Sequence, residues 1–367
     1  MFFELGYITF ETVSLVIFSL FLSIIGFWVS KRLIPSFAEK LERAGLSGID
    51  LNKLKPKEDD NDPKRIPEGV GIVSGTLFVV FVIILTSFMR ISEAETISFY
   101  AGLICILLNL LSGFIDDVIA LRWRYKIILS VLSSVPLITC WKGATDVIVP
   151  TPLRRWLPDS IELGPLYTVY LLALTTFCSN SINIYAGING IEVGQSLILS
   201  GGCLLHSIIR LFSPQHDKAL LSVCVLLPFF FVCLALFQFN KYPSKVFIGD
   251  SFTYFAGTAL AVAALFGHFT KTLLLFFTPQ IINFMYSLPQ LIGIIPCPRH
   301  RLPRYDPKTD KLVGVPEHMT LINLWLRLFG PKHEKRLCRE LMWFQVLCCI
   351  GALVLRNLLS FFGVLYT

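Results

Sequence analysis

Residues 180–192 read NSINIYAGINGIE, and long apolar runs lie on both sides of them. Asn180, Asn183, Asn189 and the carboxylate Glu192 interrupt a chain otherwise built for lipid. A membrane helix avoids such groups, because buried amides without partners cost several kcal/mol. Gly187 and Gly190 bracket Ile188 and Asn189 and let the backbone turn sharply. The segment reads either as a polar loop between two spans or as an acceptor-rich site at the mouth of a membrane bundle. Polar groups at membrane depth favour the second.

Composition supports a membrane setting. The 367 residues are 54% hydrophobic, with mean hydropathy +0.68, which is outside the soluble range. The fold class expected is all-α: a polytopic membrane protein of about ten transmembrane helices. It forms one domain over 1–367, with extended loops at 31–69 and 296–336. The spans expected lie near 10–30, 70–88, 97–115, 127–141, 165–182, 193–209, 219–239, 252–267, 272–295 and 340–364. A short amphipathic helix is expected from residue 36, breaking at Gly45, and the charged stretch 53–66 is expected to be mobile. The first span lacks the basic flank and cleavage site of a removed signal peptide. Of ten cysteines, most sit inside apolar runs as small hydrophobes, with no CxxC pair. The net charge of +7 needs no nucleic acid to explain it, and no nucleic-acid module is present.

Charge is distributed asymmetrically along this map. If the N-terminus is outside, 23 of the 32 Lys and Arg fall in cytosolic segments and 7 on the opposite side. The same assignment puts Asp116-Asp117, the asparagine segment, Asp250 and the PCPRHRLPR loop on one face, which suits an enzyme site or a pore mouth.

Each of these groups has a plain reading and a chemical one. Asp116 and Asp117 end an apolar span, where two carboxylates repel each other and the helix macrodipole opposes them. They are either a solvated helix end or a catalytic or metal-binding pair. Lys126 is a snorkelling anchor or a phosphate contact. Asp250 is a helix N-cap or, with Asn183, one of two hard oxygen ligands suited to Mg²⁺. Arg299, His300 and Arg301 lie between prolines that favour an extended path, on which the two arginines point the same way. Two guanidinium forks suit a diphosphate, or serve as a positive-inside anchor. Jointly, the groups suit a phosphorylated soluble donor meeting a lipid acceptor.

GFIDDVIALRWRYK, NSINIYAGINGIEVGQS, YPSKVFIGDSFTYFAG and SLPQLIGIIPCPRHRLPR resemble, in order and spacing, the polyprenyl-phosphate N-acetylhexosamine-1-phosphate transferases of eukaryotic type. The resemblance spans nearly the whole chain. It implies a ten-helix fold in the endoplasmic reticulum membrane with its active site facing the cytosol. It implies transfer of GlcNAc-1-phosphate from UDP-GlcNAc to dolichyl phosphate with release of UMP, the first step of N-glycan precursor assembly, and inhibition by tunicamycin. By motif matching, Asn183 and Asp250 resemble the Mg²⁺ ligands, and Asp116, Asp117 and Lys126 the catalytic group. Leu46, Ser47, Gly48 and Glu68 match the uridine side. Asn189, Phe247, Arg299, His300 and Arg301 match other donor contacts. On a direct route of transfer, Asp117 is expected to orient Lys126 and the acceptor or to take a residual proton, and Asp116 to shape the metal's outer shell. Ala120 departs from the pattern, where Asn is expected. A homodimer is left open.

Two other classes compete. A nucleotide-sugar or organic-anion transporter would show polar groups mid-span and repeat symmetry, whereas here they cluster at one end of the spans and no repeat is found. A non-catalytic scaffold would have no reason to keep all four motifs.

Overall fold

The computed structural model describes residues 9–53, 65–143, 145–298 and 300–361. Arg299 and most of the charged stretch 53–66 lie outside the described residues. Twelve α-helices carry the described chain: α1 (Phe10–Arg43), α2 (Gly71–Thr86), α3 (Glu93–Ile119), α4 (Trp123–Cys140), α5 (Pro165–Ile184) and α6 (Ile191–Arg210) in the first half, then α7 (His216–Asn240), α8 (Gly249–Phe266), α9 (Thr270–Phe276), α10 (Thr278–Leu291), α11 (Leu321–Phe329) and α12 (Glu334–Phe361). Three antiparallel hairpins decorate the loops: β1 (Ser47–Ile49) with β2 (Arg65–Pro67), β3 (Asp146–Ile148) with β4 (Ser160–Glu162), and β5 (Arg304–Asp306) with β6 (Lys311–Val313). Five helices, α1, α3, α6, α7 and α12, are long and apolar enough to cross a membrane. Their outer faces carry exposed apolar side chains such as Phe21, Trp28, Ile104 and Leu347, as lipid contact requires.

The bundle is built around α8, whose residues from Ser251 to Phe266 are all buried. Small residues let its neighbours approach: α3 presents Gly113 and α2 presents Gly71, and a Cβ at either would strike the start of α8. Phe78 of α2, Phe229 of α7 and Phe255 of α8 fill the space between, with ring centroids 5.2–6.0 Å apart. Where helices carry hydroxyls inward, the hydroxyls pair. Ser130 of α4 meets Ser179 of α5 at 2.9 Å, and Thr175 donates to Ser134 at 2.9 Å. Gln280 of α10 donates to Gln195 of α6 and Gln345 of α12, each at 2.7 Å. These mid-bundle pairs tie neighbouring helices together and rigidify the packing, although Gln280 Oε1 stays buried with no hydrogen-bond partner among the described residues.

Several local expectations change. The first span and the amphipathic segment after it form one helix that runs through Pro35 to Arg43. The ninth expected span is divided between α9 and α10 at Phe277. Within 296–336, α11 forms with Thr320 as its side-chain N-cap, burying Leu321, Ile322 and Leu326 against Leu337 and Leu341 of α12. Asp250 is not an N-cap: it lies inside the first turn of α8, whose N-cap residue is Ile248.

Helix α3 starts with a reciprocal capping box between Ser92 and Glu95. It stops at Ala120, which adopts the left-handed conformation with φ 53° and ψ 71°. Asn tolerates that region better than Ala does, which gives a physical reason for the Asn expected there. Ala120→Gly should therefore stabilise the fold by about 1 kcal/mol. Thermal unfolding in detergent checks this; an unchanged or lower midpoint would show that the turn stores no strain.

Candidate active site

One end of the bundle collects the polar termini of α3, α4, α5, α6 and α8 around a cavity of about 270 Å³. Hairpin β1–β2 closes one side. Glu68 N–H donates to the Leu46 carbonyl at 3.0 Å, and Phe247 N–H to the Pro67 carbonyl at 2.7 Å, so the hairpin is stitched to the loop before α8. Gly48 lies so near Glu68 and Phe247 that a Cβ there would stand 3.0 Å and 3.2 Å from them. Glu68 and Phe247 line the cavity. Leu46, Ser47 and Gly48 stand beside it on the hairpin, and the residues that follow them, Ile49, Asp50 and Leu51, form the wall.

The charged groups are joined in a line. Lys126 Nζ is 2.5 Å from Asp116 and 2.8 Å from Asp250. Asn183 Nδ2 donates to the other Asp250 oxygen at 2.5 Å and to Thr253 Oγ1 at 3.0 Å. Asp116 is almost fully buried and also accepts from Leu121 N–H at 2.8 Å. Asp117 does something else. Its two oxygens accept from the backbone N–H groups of Asp250 (2.5 Å) and Ser251 (3.1 Å). It thus caps α8 from the end of α3, supplying the anion that a helix N-terminus favours. Gly249, at φ 73°, makes room, since a Cβ there would collide with the Asp117 carboxylate. The expectation that Asp117 orients Lys126 is corrected: Asp116 does so, because the helical turn aims successive side chains at different neighbours.

The wall of the cavity carries four carboxylates, Asp50, Glu68, Glu192 and Asp250, and no Lys or Arg among the described residues. Burial, and then the charge of Asp250, raise the Glu68 pKa above its ordinary value. Glu192 accepts from Gly187 N–H at 3.1 Å, which fixes the turn into α6.

Asn189 is a junction. Its backbone N–H donates to Glu334 at 2.6 Å, and its side-chain amide donates to Glu334 and, at 3.0 Å, to Asp50. Its side-chain oxygen accepts from Ser244 N–H at 3.1 Å. The side-chain N–H groups are thus committed, and what Asn189 fixes is the position of the cavity wall. Glu334, Asp50 and Thr253 were not read from the sequence. Glu334 is buried only through its tertiary contacts, which no local pattern signals.

From the basic loop, Leu302 lines the cavity beside Gly187. Arg301 is half-buried, and burial lowers its pKa. Its Nη1 is buried with no hydrogen-bond partner among the described residues, and its carbonyl accepts from Asn323 at 3.0 Å. A buried guanidinium nitrogen without an acceptor suits an anionic ligand. His300 is exposed and is not part of the cavity wall.

Residues 99–268 match the model for Glycosyl transferase family 4. The UDP-N-acetylglucosamine–dolichyl-phosphate N-acetylglucosaminephosphotransferase of Dictyostelium discoideum is 45% identical, over 87% of this chain and 84% of its own length. The chain belongs to this transferase family. The enzymes of the same name from Leishmania amazonensis and Saccharomyces cerevisiae are each 34% identical, over 93% and 90% of this chain and 92% and 88% of their own. The family match runs from within α3 through α8, and these helices carry Asp116, Asp117, Lys126, Asn183 and Asp250.

Asp117→Ala would leave two N–H groups at the start of a buried helix without acceptors. It should lower stability by roughly 2 kcal/mol, and Asp117→Asn by less, since one oxygen remains. Equal thermal midpoints for wild type and Asp117→Ala would remove the capping role.

Proposed function

We propose that this chain transfers GlcNAc-1-phosphate from UDP-GlcNAc to dolichyl phosphate, giving GlcNAc-diphosphodolichol and UMP, the step that begins N-glycan precursor assembly. The observation that carries the reading is the Asp116–Lys126–Asp250–Asn183 line at the edge of an acidic cavity, in a chain of this family. A transporter finds no support in the paired mid-bundle polar groups.

The acidic wall poses an electrostatic problem for an anionic donor. A divalent cation answers it, and the donor set of one carboxylate and one amide fits Mg²⁺, which takes few protein oxygens and keeps water and phosphate as its other ligands. Asp250 and Asn183 would hold it; half a turn of the Asn183 amide would present its oxygen instead of its nitrogen. When bound, the ion supplies neutralisation of charge on the diphosphate. The protein's own groups do the rest. Lys126 offsets the charge of the acceptor phosphate, and Asp116 holds Lys126. Phe247 and Glu68 face the nucleoside, and Arg301 meets the donor's phosphates.

The reaction we favour is direct. A phosphate oxygen of dolichyl phosphate attacks the donor's β-phosphorus, the bond to the bridging oxygen breaks, and UMP leaves with that oxygen. Phosphoryl transfer needs mainly positioning and charge neutralisation, and the acceptor is already an anion.

The wider setting belongs to the same proposal: ten spans, the cavity facing the cytosol, and residence in the endoplasmic reticulum membrane. It is supported by the Lys and Arg asymmetry, because Ile49, Asp50, Leu51 and Glu68 of 31–69 and Leu302 of 296–336 line the cavity.

Purified chain given radiolabelled UDP-GlcNAc and dolichyl phosphate should form labelled lipid only with Mg²⁺; no labelled lipid under any metal would overturn the assignment. Asp250→Ala should cost at least about a hundredfold in turnover. Arg301→Lys keeps the charge but loses the planar fork, so activity should fall; normal kinetics with Lys at 301 would reduce the loop to an anchor. Isotope exchange between UMP and UDP-GlcNAc without lipid should be absent, and fast exchange would establish a covalent route instead.

A further inference from the structure

The opposite end of the bundle holds a second polar cluster that the transferase reading does not use. Helix α12 starts at Glu334, beside the cavity. Arg356 lies six turns further along it, roughly 33 Å at 1.5 Å per residue. There, Arg356 Nη1 sits 2.7 Å from His206 Nδ1 and 2.9 Å from Nε2. His206 is buried on α6 and packs edge-on against Phe269 at 4.8 Å. Arg210, the last residue of α6, is 6% exposed and donates to the carbonyl of Gly267, just past the end of α8.

Two guanidinium groups are therefore drawn into one corner, and no carboxylate pairs with either among the described residues. The contrast with Lys218 at the same end is informative, because Lys218 has a carboxylate partner in Glu95. The C-terminal ends of α6 and α8 point at the corner, and each contributes the equivalent of roughly half a negative charge. Against two arginines, that leaves about one positive charge uncompensated. A buried charge in such a setting calls for a counter-ion, and ionisable residues inside a membrane bundle mark sites more often than accidents.

We propose that Arg210, Arg356 and His206 bind a singly charged phosphate group, with the phosphodiester of a lipid headgroup as its source. Charge and position both specify it. One negative charge balances the corner. The planar forks suit phosphate oxygens, and the imidazole, with both ring nitrogens within 2.9 Å of Arg356 Nη1, holds that guanidinium in place. The surface around the corner is apolar and outward-facing, with Leu205 and Ile208 on α6 and Val354, Leu355 and Leu358 on α12 all exposed. A ligand that arrives there brings hydrocarbon with it. The site ties α6 and α12 to the α8–α9 turn, on the face of the bundle away from the transfer chemistry, and stands independently of the proposed reaction.

The test is thermal unfolding of the detergent-purified full chain titrated with phosphatidylglycerol, with diacylglycerol of the same chains, and with inorganic phosphate. Phosphatidylglycerol should raise the midpoint, on the order of 3 °C; diacylglycerol should not. Arg356→Gln, at a half-exposed position, should remove the rise while keeping a monodisperse elution profile. Inorganic phosphate that matches the lipid, and that also depends on Arg356, would keep the phosphate site and assign it to a free anion. A lipid shift that is equal in wild type and Arg356→Gln, or no shift with either phosphate source, overturns the proposal. Should Arg356→Gln fail to fold, native mass spectrometry of the wild type decides: retention of phosphatidylglycerol over diacylglycerol supports the site, and equal retention overturns it.

Discussion

The carboxylate of Asp250 is the constraint around which the cavity end is arranged. It stands at the start of a helix that is buried along its length, where an unpaired charge would be costly. Lys126 and Asn183 each take one of its oxygens, and Asp117 takes the N–H of its own residue. Helices α3, α4 and α5 thus reach α8 through this one residue. Removing a single partner from such a group costs about 3–5 kcal/mol, because the remaining charge is stranded. The helix ends are held in register by the same contacts that hold the charge, so fold and site share one set of bonds.

The acidic wall sharpens this. Four carboxylates around a cavity are costly for a protein that binds only neutral ligands, and they repel an anion. The arrangement becomes economical when a cation and an anionic donor arrive together, since each offsets the penalty of the other. Arg301, next to the cavity-lining Leu302, fits the same logic: it brings a buried guanidinium nitrogen with no acceptor among the described residues. On the proposed reading, the donor's phosphates lie between a carboxylate-bound cation and that guanidinium.

How much of this was legible in the sequence depended on contrast. Asp116, Asp117, Lys126, Asn183 and Asp250 stood out because each ends or starts an apolar run, and charge there demands a reason. The structure brings them to one end of the bundle. Glu334, Asp50 and Thr253 gave little contrast, because polar residues in or near loops look solvated until tertiary contacts bury them. The roles within the acidic pair were not legible at all. Adjacent carboxylates on a helix diverge in direction, and which of them meets Lys126 is fixed by packing across residues far apart in sequence. The capping of α8 by Asp117 was not legible for the same reason, since a cap from another helix leaves no local signature. Periodicity also missed the continuity of α1 through Pro35 and the division at Phe277, because membrane runs are apolar on every face and carry little phase information.

The geometry of Asp117 bears on the route of transfer. A carboxylate that attacks phosphorus must release the hydrogen bonds held by the attacking oxygen. Both oxygens of Asp117 are engaged by the first turn of α8, so attack would strand an N–H there at roughly 1–3 kcal/mol and loosen the residue that carries Asp250. Asp116 is no better placed: it is nearly fully buried, bound to Lys126 and to the Leu121 N–H. To act, it would give up the cation that, on the proposed reading, the acceptor phosphate also needs. An acceptor phosphate that attacks for itself requires neither disruption. Lys126 keeps its partners, α8 keeps its cap, and the site enters and leaves the reaction in one arrangement.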